Sequence, residues 1–194
     1  NGESFNFDSI RLKENNLRIK FQDTSSSASF PTVDWQLTAN DSSNGGANYF
    51  AIDNVDSAQT PFKVMDGAKN NALFISSNSR VGFGTSTPVV NLHVVDGNSP
   101  AIRLEQDSSS GFSAQTWDVA GNETNFFVRD ATNGSKLPFK IRPNAPTNSL
   151  YVDADGGVGL GTASPSGRLE IKSGTDSFLQ VDDNGVSTFQ SSYF

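Results

Sequence analysis

The sequence predicts an all-β protein, and three observations carry that prediction. Apolar residues come in short runs of three to five fenced by Gly, Pro, Asn and Ser, the pattern of strands separated by turns. Charged residues make up only 18% of the 194 residues, so much of the polarity falls to Ser, Thr, Asn and 17 Gly, as in β-rich extracellular proteins. No window of helical length shows a 3.6-residue period, which limits any helix to a turn or two.

Read in order, the first strand falls at Leu17-Arg18-Ile19 and the next at Trp35-Gln36-Leu37, after the polar segment 24–29. Tyr49-Phe50-Ala51-Ile52 follows the Asn/Ser-rich loop 41–48, and Phe62-Lys63-Val64 and Leu73-Phe74-Ile75 come after it. Val81 to Thr85 and Leu92-His93-Val94 close the series. The three-residue runs alternate apolar, polar, apolar, which predicts one buried face and one face open to water. On that pattern His93 points to solvent, and the recurring aromatic residues Trp35, Trp117, Phe62 and Phe139 are expected to anchor the core.

The series then repeats. Pro61-Phe62-Lys63-Val64 returns as Pro138-Phe139-Lys140-Ile141, and Val81-Gly82-Phe83-Gly84-Thr85 as Val158-Gly159-Leu160-Gly161-Thr162, each 77 residues on. Pro88 and Pro165, Leu92-His93-Val94 and Leu169-Glu170-Ile171, and Phe50 and Phe127 keep the same offset, so this part of the unit is expected to repeat without insertion. Upstream the offset drifts to 82 at Trp35 and Trp117, and to 85 between Leu17-Arg18-Ile19 and Ile102-Arg103-Leu104. That drift is read as a second copy that is longer before Phe127, with the change in loops 24–29 and 107–113. The expected organisation is one β-repeat unit over residues 1–98, a second over 99–174, and over 175–194 the start of a third, beginning near Phe178-Leu179-Gln180-Val181, or a C-terminal extension. The alternative is two independent β-sandwiches. A chain opening on Asn1 rather than Met is expected to be cut from a longer polypeptide.

The most distinctive string is Val81-Gly82-Phe83-Gly84-Thr85 with Pro88, repeated as Val158-Gly159-Leu160-Gly161-Thr162 with Pro165 and followed each time by an alternating strand. Alternate glycines leave one strand face bare, so another backbone can approach it closely, and the Pro ends the strand for want of a donor. Residues 81–94 and 158–171 resemble the VGIGT-x-x-P…L-x-V repeats of phage tail fibres and bacterial surface fibres, often found upstream of an intramolecular trimerisation chaperone. That resemblance implies an intertwined or stacked homotrimer at the cell surface, in the extracellular space or on a virion.

The chemistry that the residues allow is narrow. With no Cys and a single His, disulfides, thiolate metal sites and most His-based catalysis are excluded. A net charge of -7 argues against a nucleic-acid partner, and no apolar run approaches the 18 residues of a membrane span. Asp153-Ala154-Asp155-Gly156-Gly157 looks like the start of a calcium loop but reads better as a hairpin turn, as does Asp182-Asp183-Asn184-Gly185. No catalytic, cofactor or metal residue is expected. The function expected is a non-enzymatic fibre segment acting as a homo-oligomer. The alternatives are a tip module that binds a cell-surface glycan or receptor and, behind it, a polysaccharide depolymerase.

Overall fold

A computed structural model describes residues 10–172. The expected third copy and the Asp182–Gly185 turn lie outside them. The described chain is all-β and contains no helix, and it divides into two units between Val95 and Asp96.

In the first unit, β1 (Leu17–Phe21), β2 (Trp35–Ala39), β3 (Tyr49–Asn54) and β4 (Gln59–Met65) form an antiparallel meander in sequence order. A smaller mixed sheet follows: β5 (Phe74–Ile75) runs antiparallel to β6 (Val81–Phe83), and β7 (Leu92–Val94) lies parallel to β6 on its other side. The second unit repeats both sheets. Its meander is β8 (Ala101–Gln106), β9 (Gln115–Gly121), β10 (Phe126–Asp130) and β11 (Lys136–Ile141). Its mixed sheet is β12 (Tyr151–Val152), β13 (Val158–Leu160) and β14 (Leu169–Ile171). The meander strands run to seven residues, longer than the apolar runs alone suggest, because polar residues at their ends keep pairing.

Pairing register corrects the repeat alignment. Phe50 pairs with Val64, and Phe126 pairs with Ile141, so the counterpart of Phe50 is Phe126 and not Phe127. The second unit carries one extra residue in the β10–β11 turn: residues 131–135 separate the pair Asp130 and Lys136, against 55–58 for Asn54 and Gln59. Ile19 opposite Leu37 likewise matches Ile102 opposite Val119, an offset of 83 rather than 85. The main length change has the opposite sign to the one expected and another place. Residues 40–49 lie between the paired Ala39 and Phe50, but only 122–125 lie between Gly121 and Phe126, so the second unit is the shorter. Loops absorb such changes cheaply, whereas slipping a strand by one residue would turn its apolar side chains over.

The Gly-rich string builds the parallel pair. Gly84 and Gly161 have φ of 79° and 81°, a region that costs a non-glycine residue strain. Their amides donate to the carbonyls of Asn71 and Asn148. A Cβ on either would collide with the carbonyl oxygen of Val95 or Lys172, and one on Gly82 or Gly159 with that of Thr85 or Thr162. The backbone that these glycines admit is therefore that of the same chain, at a local turn. Thr85 and Thr162 accept from the amides of Thr87 and Ser164, and Pro88 and Pro165 are buried just beyond. The Asp153–Gly157 segment is the β12–β13 turn, its carboxylates accepting backbone amides.

Replacing Gly84 or Gly161 by Val is expected to cost about 2–4 kcal/mol, the sum of positive-φ strain and overpacking. Ser42→Val, in an exposed loop, should move the urea midpoint little. Equal midpoints for the three variants would refute this account of the turn.

Candidate functional site

Register also fixes which side chains share a face, since residues directly opposite in an antiparallel pair, and every second residue along a strand, point the same way. In the first meander one face carries Leu17, Ile19, Phe21, Trp35, Leu37, Ala39, Phe50, Ile52, Phe62 and Val64, broken at one end by the opposed pair Asn54 and Gln59 beside Trp35. In the second meander the same face carries Ile102, Leu104, Trp117, Val119, Gly121, Phe126, Val128, Phe139 and Ile141, with a polar end formed by Gln106 opposite Gln115 and Asp130 opposite Lys136. The rings of Phe126 and Phe139 meet edge to face on it, 6.5 Å apart.

This face is open. Trp35 is 41% exposed, Trp117 37%, Phe62 40% and Phe139 37%, so the four expected core anchors lie on the surface of the single chain. Phe21 and Leu104 reach 58% and 59%. The alternation is real, but the apolar face is the uncovered one.

The opposite, polar face holds the best-buried side chains: Thr38 and Ala51 in the first unit, Asp118, Ala120 and Phe127 in the second. Long polar neighbours cover it by laying their stems over the sheet. Lys63 Nζ stands 4.2 Å from the centre of the Tyr49 ring, and the Arg129 guanidinium 5.9 Å from that of Phe127. In the second unit Arg103 Nε donates to Asp118 Oδ1 at 2.8 Å, and Arg129 donates through Nε at 2.9 Å and Nη2 at 2.6 Å to Oδ2. Arg103 first and Arg129 second hold the Asp118 carboxyl down to about 2, against the opposing effect of its burial. The first unit solves the same problem with hydroxyls. Thr38 and Thr60 donate to the two oxygens of Asp53, Gln36 donates to Thr38, and the Asp53 carboxyl is lowered by those two bonds.

In the mixed sheets, Val81, Phe83, Val158 and Leu160 hold the central strands, each glycine between them is buried, and Phe83 and Leu160 stay exposed. His93 is half-buried rather than solvent-facing, while its neighbour Leu92 is the exposed one. Its Nδ1 accepts the amide of Val89 at 3.4 Å, and its counterpart Glu170 accepts the amide and hydroxyl of Ser166, so both cap the same loop.

Among the described residues no helix is long and apolar enough to cross a membrane. No protein-family model matches the chain, and no curated protein matches it significantly.

Asp118→Asn should lower stability at neutral pH by about 1–3 kcal/mol, because two arginines lose their charged acceptor. The native carboxyl is depressed below its ordinary value of 3.8, so its contribution is full above about pH 4 and fades as pH falls toward about 2. Thermal midpoints of the wild type and D118N should therefore differ at pH 6 and converge near pH 2. A gap that does not depend on pH would refute the assignment.

Proposed function

We propose that this chain is a non-enzymatic structural segment of an extracellular or virion fibre, a tail-fibre or surface-filament shaft, and that it works as a homotrimer. One observation carries the reading: two tandem units build the same pair of sheets, and each leaves the apolar face of its meander open. A tandem array whose repeats each expose an apolar face is suited to lengthwise assembly, with stability growing by the unit. The resemblance of residues 81–94 and 158–171 to fibre repeats supports the same reading and supplies the number three.

The exposed indoles of Trp35 and Trp117 also invite the tip-module reading, because sugars stack on such rings. Sugar hydroxyls need polar groups around the ring; Asn54 stands opposite Trp35, and Asp130 and Gln115 flank Trp117, but Phe21, Leu37, Leu104 and Val119 fill the other sides and the sheet face beyond them is apolar. A protein surface suits them better.

Light scattering after size exclusion is expected to give about three times the chain mass of 20.7 kDa, with no decrease on dilution. A mass of one chain at high concentration would overturn the trimer and the shaft function together. Glycan binding by a monodisperse single chain would favour the tip module instead.

A further inference from the structure

We infer that the open face of each meander is covered by the same face of further copies of this chain, unit on like unit and in register. This rests on the fibre reading and adds the surface and its occupant. The two units compare with each other like two relatives. On the exposed face the register pairs Ile19 with Ile102, Trp35 with Trp117, Phe50 with Phe126 and Phe62 with Phe139, and the exchanges there stay apolar: Phe21 for Leu104, Leu37 for Val119, Ala39 for Gly121, Ile52 for Val128 and Val64 for Ile141. On the polar face Lys63 answers to Lys140 and Lys20 to Arg103, but at the better-buried positions between them Gln36 answers to Asp118, Thr38 to Ala120, Ala51 to Phe127 and Asp53 to Arg129. A single layer at rest in water would show the reverse, buried positions held and exposed ones free to vary. The exposed face is held because something packs on it.

Its size and chemistry select the occupant. Six large apolar side chains in each meander are between 37% and 59% exposed. At roughly 200 Å² for a large side chain, that opens about 500–600 Å² per sheet and about 1,000–1,200 Å² per chain. A standard stable interface needs about 800 Å² per partner, and a monomer rarely leaves so much apolar surface bare. Apart from the opposed, mutually offsetting Asp130 and Lys136 at one end of the second meander, the face has no charge to recognise an acidic or basic partner. Strands of five to seven residues fall short of the roughly 9–11 that a lipid-facing strand needs. A self-complementary apolar face suits identical copies, which closed symmetry can bring together. Packing first unit on first unit and second on second gives every such face an identical partner. A stagger of one unit would leave a face bare at each end.

The chain has no Cys, so single Cys variants report contacts cleanly. Leu37→Cys and Val119→Cys occupy equivalent central positions of the two faces, and Ile52→Cys and Val128→Cys give a second pair should either first variant fail to fold. The full chain, carrying two distinguishable tags and co-expressed, is treated with a short bis-maleimide and read on a denaturing gel. L37C should link to L37C and V119C to V119C, each about tenfold or more above the exposed-loop control Ser42→Cys, as expected for neighbours held at high effective concentration. Dominant L37C to V119C links would overturn the like-on-like register. An oligomer by light scattering with links no better than the control would overturn the surface but leave the fibre reading standing. A single-chain mass with no links would end both.

Discussion

The two-residue period of the β-strand governs this molecule. Once β1 to β4 pair in register, Leu17, Ile19, Phe21, Trp35, Leu37, Phe50, Ile52, Phe62 and Val64 have no choice but to share one face. The sheet's other face must then hold the polar residues, and whichever face is covered decides what the chain can do alone. Here the covering comes from the polar side itself. Arginine and lysine stems and a few hydrogen bonds shield Ala51, Ala120 and Phe127, while the larger apolar surface stays bare. Burying that surface would stabilise at roughly 25 cal/mol for each Å² removed from water, so the strongest driving force left in the chain points outward.

The two units also show how a fold tolerates exchange when its geometry is fixed elsewhere. Asp118 between two arginines and Asp53 between two threonines sit on neighbouring strands of equivalent sheets, and their roles have changed places: the position of Asp53 is taken by Arg129 in the second unit, and that of Asp118 by Gln36 in the first. Both arrangements satisfy their carboxylates, and both lower them for a nearby physical cause, guanidinium charge and hydrogen bonds in one case and hydroxyl donors in the other. The polar face needs satisfied partners rather than particular ones. The apolar face, by contrast, repeats its chemistry almost position by position.

Much of the fold was legible in the sequence because its signals are local. Turn residues bracket the strands, and the 77-residue offset from Phe62 to Leu92 marks the part of the unit in which β4 to β7 recur without a change of length. What was not legible depends on pairing. Phe127 follows a matching Phe at one position's remove, and only the partner strand tells which of Phe126 and Phe127 faces with Phe50. Alternation in Leu92-His93-Val94 shows that two faces differ but not which one is covered, and in the single chain His93 lies half-buried while the aromatic anchors stand on the open side. The Arg103, Asp118 and Arg129 cluster joins three strands at separations of 15 and 11 residues, which no spacing rule picks out before the register is known.

The Gly-rich string earns its recurrence through topology. Parallel neighbours ordinarily need a crossover of about a dozen residues or more, yet β6 and β7 are joined by residues 84–91 alone, and β13 and β14 by 161–168. So short a link must reverse at once, pass the strand and re-enter alongside it. Gly84 supplies the left-handed backbone for the reversal, Thr85 caps the turn, Pro88 packs beneath it and His93 receives the returning amide of Val89. Gly161, Thr162, Pro165 and Glu170 do the same in the second unit, with the acceptor changed from imidazole to carboxylate. Each part depends on the others. The string is therefore kept as a block, whereas the meander loops before it gain and lose residues, and a unit closed by such a block can follow another along the chain without disturbing the strands of either.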